Sequence, residues 1–335
     1  MKRTFLSLLA ALSIPAAAML AGLAATPVEA AMKLKAGSVL PKDSDQGQAI
    51  EFFAKRVKEM TNGEIEVQAF HSGELGPPPA QYKNAIDGAQ DPVIDTLDYF
   101  NQFDKRFGVI NTPFVFRGRE HFGKFLNSPA FAEIAKTVEA RGLVFLGNYN
   151  WMRQQDRGIL SRKPIIMPAD LQGVKMRMFQ AEMPIQAWSA MGANIQVYSW
   201  ADTYTAMATG AVDSLTTVVS ASYLVKHIEV LKYFTNLQEY YQIVLPVISK
   251  ITWNKLNKQQ QDILVKAANE AGEVYVKASK ANDERDTLRA QDELGLTIIV
   301  PPMKPWQEKA AAMHKALEDK DLLPKGIIEA AKAIK

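Results

Sequence analysis

A short pattern of residues occurs twice in this chain, at the same step of the same series of predicted elements. Tyr, Gly, Ala and Asp have identical spacing in YKNAIDGAQD (82–91) and in YTAMATGAVD (204–213). Each copy lies between the second and third strands of a predicted β-α-β-α-β series, which implies parallel strands joined by right-handed crossovers. The repeat therefore predicts two similar α/β lobes.

The apolar periodicity sets approximate bounds for the elements of each copy. The predicted strands cover 33–40, 64–70 and 92–97 in the first copy, and 174–179, 194–198 and 212–219 in the second. A long helix is predicted from Lys255 to about Asp292, because this segment has no Pro and a single Gly. Such a helix is long enough to brace both lobes.

These elements suggest a division of the mature chain into two lobes, each built from two segments. We expect lobe one to comprise 31–152 and 243–288, and lobe two to comprise 153–242 and 289–335. Two-lobed α/β proteins of this kind bind ligands in the cleft between the lobes, at the carboxyl ends of the strands.

Residues 1–30 have the composition of a cleaved secretory signal peptide. Lys2 and Arg3 precede an apolar segment from Phe5 to Leu23, and Val28 and Ala30 supply small residues at a cleavage site. The chain has no Cys, so we expect no lipid anchor, disulfide or thiol chemistry. The sequence thus predicts an exported protein of the bacterial periplasm, without a covalent membrane anchor.

The charge of the mature chain is nearly balanced. Removal of residues 1–30 from a chain with 39 basic and 36 acidic residues leaves 37 and 35, a net charge of +2. The basic residues are scattered rather than clustered, which argues against a nucleic-acid partner.

Motifs that carry enzyme chemistry are missing from the sequence. There is no G-x-x-x-x-G-K-[ST] loop and no G-x-S-x-G motif, and the four His residues are far apart along the chain. We therefore expect a binding protein rather than an enzyme, with no cofactor and no metal site.

Three arginines occupy positions that the predicted topology places at the cleft. Arg177 lies near the end of the first strand of lobe two, and Arg153 and Arg157 lie in the link between the lobes. A guanidinium group offers a planar pair of donors that matches a carboxylate. The alternatives are a structural salt bridge for Arg177 and a solvated hinge position for one of the other two.

Aromatic residues near the same boundaries form a second group of candidates. Trp200 directly follows the strand over 194–198, so it is expected to face the cleft, although a role in the core is equally compatible with its position. Trp151 and Tyr99 also fall near lobe boundaries, with weaker support.

Four segments in order give the chain a family resemblance. These are SGELG (72–76), INTPFVFRGREHFGKFL (110–126), RKPIIMPADLQGVKMRMF (162–179) and MGANIQVYSWADTYTAMATGAVDS (191–214). They resemble motifs of the solute receptors of tripartite ATP-independent periplasmic (TRAP) transporters, the dicarboxylate-receptor-like family. The resemblance implies an α/β, two-lobed periplasmic-binding-protein architecture with a central ligand cleft and a long bracing helix.

The resemblance also implies a function and a set of ligand-binding residues. Such a receptor captures a small organic acid and delivers it to the membrane permease subunits of a sodium-coupled TRAP transporter. The family's ligand-clamping Arg falls on Arg177, a second Arg on Arg157 with Arg153 as the nearby rival, and a cleft aromatic on Trp200.

Two departures from the family pattern concern the side of the cleft opposite the carboxylate. Thr217 stands where the family has an Asn that helps to hold the ligand, and 77–79 (PPP) replace acidic residues. With Trp200 enlarging the aromatic wall, these changes favour an acid less polar than sialic acid or malate, such as an aromatic or keto acid. A receptor of an ABC-type importer and a periplasmic enzyme acting on an organic acid are the rival functions.

Overall fold

The computed structural model describes residues 31–335, so the predicted signal peptide (1–30) lies outside the described residues. The first copy of the repeat forms a β-α-β-α-β unit with these elements: β1 (Met32–Gly37), α1 (Asp45–Met60), β2 (Ile65–Phe70), α2 (Pro78–Ile86) and β3 (Val93–Thr96). Strand β1 lies between β2 and β3 and is parallel to both.

The segment after β3 leads from the first copy of the repeat to the second. It contains 3-10 turns at Leu97–Gln102 and Lys105–Asn111, and then α3 (Arg119–Leu126), α4 (Pro129–Ala140), β4 (Leu143–Phe145) and β5 (Gly158–Ser161). A further 3-10 turn at Pro168–Leu171 precedes the second copy.

The second copy of the repeat reproduces the topology of the first. Its elements are β6 (Lys175–Met178), α5 (Glu182–Met191), β7 (Asn194–Val197), α6 (Thr203–Ala208) and β8 (Ser214–Thr217). Strand β6 lies between β7 and β8 and is parallel to both, as β1 is to its neighbours. Gly88 and Gly210, the shared glycines of the two copies, have φ of 75° and 73°. Both lie in the left-handed region, which is where glycine is favoured after a helix.

The remaining elements run from the second copy to the end of the chain. They are α7 (Val219–Leu224), α8 (His227–Val230), β9 (Tyr233–Asn236), β10 (Val244–Ser249), α9 (Lys250–Trp253), α10 (Lys258–Leu294), β11 (Thr297–Ile299), α11 (Met303–Asp319) and α12 (Ile327–Lys332). None of the helices in residues 31–335 has the length and apolar character that a membrane span requires.

The strands of residues 31–335 assemble into two mixed sheets. The order in the first sheet is β2-β1-β3-β10-β4, and the order in the second sheet is β11-β9-β5-β8-β6-β7. Strand β10 is antiparallel to β3 and β4, and β5 is antiparallel to β8 and β9. The α/β fold class with two sheets is confirmed, whereas the lobe boundaries stay a prediction.

Helix α10 begins and ends with well-formed caps and packs on α1, in the first copy of the repeat, and on α7, which follows the second copy. Asn257 Oδ1 accepts from Gln260 N at 2.9 Å, Gln260 Oε1 accepts from Asn257 N at 3.1 Å, and Gly295 ends the helix in the left-handed conformation. This reciprocal capping satisfies backbone donors that the first turn of a helix leaves free. The helix contacts α1, where Arg56 bonds to Glu270, and α7, where Tyr223 bonds to Glu293, as expected of a brace.

The C-terminal helices contact residues of both predicted lobes. Trp306 Nε1 donates to Ile166 O at 3.0 Å, while the His314 ring and Pro113 O are 2.7 Å apart. Trp306 and Met313 are buried in the same core cluster as Phe107. Assignment of this segment to lobe two alone remains a prediction.

Gly158 begins β5 at a point where neighbouring backbone leaves no room for a side chain. A Cβ at this position would lie 2.1 Å from Thr235 O, whereas nothing lies within 4 Å of a Cβ at Gly118. We expect Gly158→Ala to destabilise the protein by at least about 1–3 kcal/mol, because overpacking forces the backbone to shift. Gly118→Ala is the control.

Thermal unfolding of both variants checks this prediction. The expected result is a clearly larger drop in unfolding temperature for Gly158→Ala than for Gly118→Ala, which only changes the N-cap residue of α3. Equal unfolding temperatures for Gly158→Ala and the wild type would show that β5 and β9 are not paired as described.

Candidate functional site

A cavity of about 630 Å³ lies where the parallel strands of both sheets end. The first sheet contributes residues after β1 and at the end of β3, and the second sheet contributes residues at the ends of β6, β7 and β8. This is the location at which open α/β sheets bind ligands, because loops at the carboxyl ends of the strands form a crevice there.

Six of the seven ligand-binding residues expected from the sequence line this cavity, and Trp151 does not. The six are Arg177, Arg157, Arg153, Trp200, Thr217 and Tyr99. Both link arginines thus reach the cavity, a point that the sequence leaves open.

Arg177 is buried but has no acidic partner among the residues that the structure describes. Its side chain is 4% exposed, its Nε donates to Tyr198 O at 3.0 Å, and its guanidinium carbon lies 5.5 Å from the centre of the Trp200 ring. Within residues 31–335, no carboxylate oxygen lies within 4.0 Å of the guanidinium, and neither terminal nitrogen donates a hydrogen bond to the protein. The two terminal nitrogens are therefore available to a ligand.

The electrostatic environment of Arg177 reflects this lack of a partner. Burial lowers the pKa of Arg177 to about 10, and the positive charge of Arg157 acts in the same direction. The group still carries its charge at neutral pH. An anion in the cavity would relieve the cost of the buried charge, because unpaired buried ions are strongly disfavoured.

Arg157, in contrast, already has protein partners. Its Nε donates to Glu239 Oε1 at 3.3 Å, its Nη2 donates to Thr216 Oγ1 at 3.1 Å, and its guanidinium lies 4.5 Å from the centre of the Tyr240 ring. Burial raises the pKa of Glu239 to about 7, and the charge of Arg157 opposes this rise. Arg157 is thus held in place, with Glu239 and Tyr240 supporting it.

Arg153 lies among several acidic groups without a close salt bridge. Its Nη1 is 3.9 Å from Asp45 Oδ2, and its buried Nε has no hydrogen-bond partner in the described part of the chain. Burial by itself lowers the pKa of Arg153, but Tyr275 and nearby carboxylates, including Asp95, outweigh this effect and hold the pKa above its usual range. Its charge is therefore balanced by the protein more than that of Arg177.

Aromatic rings form one wall of the cavity around Arg177. Trp200 and His227 meet edge to face, with ring centres 4.8 Å apart, and Tyr99 and Phe179 do so at 5.4 Å. Burial lowers the pKa of His227 to about 3, and Arg177 adds to this effect, so the imidazole is neutral at physiological pH.

Trp151 and Lys175 have structural contacts outside the cavity lining. The Trp151 indole is fully buried, donates to Ala268 O at 2.8 Å and stacks on Tyr275 with ring centres 5.6 Å apart. It therefore links the segment before β5 to α10, and the structure gives no support for the expected ligand contact. Lys175 Nζ donates to the carbonyl of Gly210.

Thr217 lines the cavity, but its hydroxyl group is already engaged. It donates to Val218 O at 3.2 Å and lies 2.9 Å from Ser222 Oγ. The neighbouring Val218 also lines the cavity and contributes an apolar side chain to this part of its wall.

Two buried carboxyl groups line the cavity that were not predicted from the sequence. Asp95 lies in β3 and Asp98 in the turn after it, and their side chains are 4% and 3% exposed. Asp98 Oδ2 accepts from Tyr240 Oη at 3.1 Å and also from Gln242 Nε2. The available signal was an Asp in the middle of an otherwise apolar strand, which is rare without a functional or structural reason.

Asp95 differs from Asp98 because one of its oxygens has no partner. Asp95 Oδ1 accepts from Thr96 N at 2.7 Å, whereas the buried Oδ2 has no hydrogen-bond donor within residues 31–335. The Gln46 amide makes its hydrogen bond to Ile94 O at 2.6 Å, yet it is close enough to Asp95 to favour the charged form of that carboxyl group and to lower its pKa slightly. Burial raises the pKa of Asp95 to about 7, against the opposing effect of the Thr96 hydrogen bond.

Comparison with known families matches almost the whole described chain to one family. Residues 36–321 match the model of the bacterial extracellular solute-binding proteins, family 7, named DctP. The chain is 29% identical over 290 residues to the 2,3-diketo-L-gulonate-binding periplasmic protein YiaO of Escherichia coli K12, which covers 86% of this chain and 87% of the relative. It is 26% identical to the C4-dicarboxylate-binding periplasmic protein DctP of Vibrio cholerae, over 86% and 87% of the two chains.

Solved structures show the same fold. A TRAP periplasmic solute-binding protein from Sulfurospirillum deleyianum, with bound succinate, matches with a TM-score of 0.83 and 26% identity over 92% of this chain and 100% of the other. One from Polaromonas, bound to D-erythronate, also has a TM-score of 0.83, with 21% identity over 91% and 99% of the two chains.

The raised pKa of Asp95 predicts a dependence of stability on pH. Since its pKa is raised from 3.8 to about 7, the folded state holds a proton between roughly pH 4 and pH 7 that the unfolded state has lost. Wild-type stability therefore falls as pH rises through this window, and an Asn at position 95 removes that contribution. We expect the free energy of unfolding of Asp95→Asn, relative to that of wild type, to increase by about 1–3 kcal/mol as the pH rises from roughly 5 to 8.

Urea unfolding of both proteins at the two pH values measures this change. Asp292→Asn, on an exposed position of α10, serves as the control for loss of one carboxyl group. A difference between Asp95→Asn and wild type that stays constant with pH would contradict the buried, protonated state of Asp95.

Proposed function

The chain belongs to the bacterial extracellular solute-binding proteins of family 7 (DctP), and we propose that it is the receptor that captures a small organic acid for a TRAP transporter. The match to this family confirms the resemblance that the sequence motifs indicate. The acid would bind in the cavity between the strand ends of the two sheets, with its carboxylate on Arg177.

The observation that carries this proposal is the unpaired charge of Arg177. Of the three cavity arginines, Arg157 is bonded to Glu239 and Arg153 has acidic groups around it, so only Arg177 lacks a nearby carboxylate among the described residues. A guanidinium with both terminal nitrogens free can bind a carboxylate bidentately. The ligand then supplies the counter-charge that the protein does not.

The names of the relatives support an acid as the ligand. The relatives described above are named for 2,3-diketo-L-gulonate and for C4-dicarboxylates, and one solved structure holds succinate. All of these molecules carry at least one carboxylate, and they differ in the rest of their structure. The carboxylate that these molecules share fits Arg177, and the part of the molecule that differs among them fits the remainder of the cavity.

The surroundings of Arg177 make a strong ion pair physically reasonable. Water around the guanidinium is largely excluded, since the side chain is 4% exposed, and charges attract more strongly where water is absent. We propose that rotation of the two halves about the segments near 151–160 and 240–250 admits the acid and then encloses it. The loaded receptor would hand the acid to the sodium-coupled permease in the periplasm.

Substitution of Arg177 tests the site directly. We expect Arg177→Ala to weaken binding of the acid by at least about tenfold, because the carboxylate loses a buried partner worth roughly 2–5 kcal/mol. Arg177→Lys should restore part of the affinity, since an ammonium group keeps the charge without the planar pair of donors.

Isothermal titration calorimetry with an acid found by thermal-shift screening of succinate, D-erythronate and related acids measures this effect. Arg289→Ala is the control, because Arg289 lies on the surface of α10 and pairs with Glu293 at 2.9 Å. Unchanged affinity of Arg177→Ala would refute Arg177 as the carboxylate site.

A receptor, unlike an enzyme, returns its ligand unaltered. After prolonged incubation with the protein, we expect mass spectrometry to recover the acid with its mass and amount unchanged. The appearance of a product in proportion to protein concentration would support the rival enzyme function instead.

A further inference from the structure

Four apolar or aromatic residues of the cavity lining keep accessible surface. Val197 is 50% exposed and Tyr204 is 38% exposed, and Val39 and Trp200 are partly exposed. We call these four residues the apolar wall. Ligand cavities are lined mainly by apolar and aromatic groups that the ligand covers, so this accessible surface suits a ligand with an apolar part.

The apolar wall begins directly beside the carboxylate site. The guanidinium carbon of Arg177 lies 5.5 Å from the centre of the Trp200 ring, and Tyr204, four residues later in α6, lines the same cavity. Trp200 also packs, together with Val39, against a small buried apolar cluster. The members of this cluster are Leu40, Val218 and Ala221. An acid held on Arg177 therefore places the carbon atoms that follow its carboxylate next to the apolar wall.

The hydroxyl groups of the cavity lining near the apolar wall are already hydrogen-bonded within the protein. They belong to Thr217, Ser199 and Tyr204, whose oxygens lie 2.9, 2.6 and 3.3 Å from side-chain oxygens of Ser222, Asp202 and Glu229. A ligand hydroxyl group in this region has to compete with these bonds after giving up its bonds to water. A hydrocarbon group meets no such cost.

Resting on the proposed function, we propose that the apolar wall is a subsite for the hydrocarbon part of the bound acid. The ligand class is then a monocarboxylate with an aliphatic or aromatic body. A single carboxylate fits because Arg177 alone among the three cavity arginines lacks a nearby carboxylate in residues 31–335. Hydrocarbon surface that moves from water onto the wall adds to the affinity roughly in proportion to its area.

This inference sharpens the expectation that the sequence raises. The departures at Thr217 and at 77–79 favour a ligand less polar than sialic acid or malate, and both segments line the cavity. The relatives described above are named for 2,3-diketo-L-gulonate and C4-dicarboxylates, which are more polar acids. The apolar wall therefore predicts that the ligand preference of this chain differs from that of those relatives.

A homologous series of straight-chain acids, from propionate to hexanoate, tests the proposal by calorimetry. We expect the affinity of wild type to rise about two- to fourfold with each added methylene group, because each one buries hydrocarbon on the wall. Hexanoate should bind at least about tenfold more tightly than D-gluconate, which has the same number of carbon atoms but is hydroxylated along its chain.

Val197→Asn and Val300→Asn form a matched pair of variants. Both valines are exposed, at 50% and 84%, but Val197 lines the cavity and Val300 does not. We expect Val197→Asn to weaken hexanoate binding by at least about threefold and to reduce the gain per methylene group, and Val300→Asn to change neither. Thermal unfolding verifies that both variants fold.

The outcomes separate this inference from the proposed function. Arg177→Ala should weaken every acid of the series by a similar factor and leave the gain per methylene group unaltered. A rising series whose affinities do not change in Arg177→Ala would overturn Arg177 as the carboxylate site and keep the apolar wall.

Three results would overturn the apolar wall itself. They are a wild-type affinity that does not rise along the series, binding of D-gluconate as tight as that of hexanoate, and an unchanged gain per methylene group in Val197→Asn. Absence of binding by every acid of the series also overturns it. The Arg177 site is then judged separately, with the acid found by thermal-shift screening.

Discussion

Arg177 carries a buried positive charge that no nearby carboxylate of the described residues neutralises. A guanidinium buried to 4% exposure with one backbone hydrogen bond, and no carboxylate within 4.0 Å in residues 31–335, is an unfavourable arrangement for the empty protein. A neighbouring arginine in the same cavity, Arg157, is satisfied by Glu239 and Thr216. The contrast means that the unpaired guanidinium of Arg177 lowers the stability of the empty protein. This is the expected arrangement for a site that an anionic ligand completes.

The topology explains why the free charge lies in a cavity rather than in the core. In both copies of the repeat the first strand occupies the middle of three parallel strands, so the carboxyl ends of the strands converge. Arg177 lies next to the end of β6, the central strand of the second copy, and Asp95 lies in β3, an outer strand of the first copy. The antiparallel strand β10 and the brace α10 then tie residues distant in sequence to this arrangement.

Much of this arrangement could be predicted from the sequence, because it depends on local periodicity and on order along the chain. The repeat indicated the parallel strands, and the alternation around Arg177 placed it near a strand end. Trp151 was expected at the ligand, but it lies outside the cavity lining, since proximity to a boundary does not indicate which way a side chain points. Its partners, Tyr275 and Ala268, are more than a hundred residues away. Asp95 was missed because the groups that surround it in the folded protein, such as Arg153, come from another part of the chain. Their proximity cannot be inferred from local sequence.

A crystal structure of the protein with its bound acid would show which arginine binds the ligand carboxylate. We expect a ligand carboxylate with two oxygens about 2.7–2.9 Å from the terminal nitrogens of Arg177, as in other bidentate guanidinium–carboxylate pairs. A ligand whose carboxylate lies on Arg153 or Arg157, with Arg177 bonded only to protein or water, would contradict this expectation.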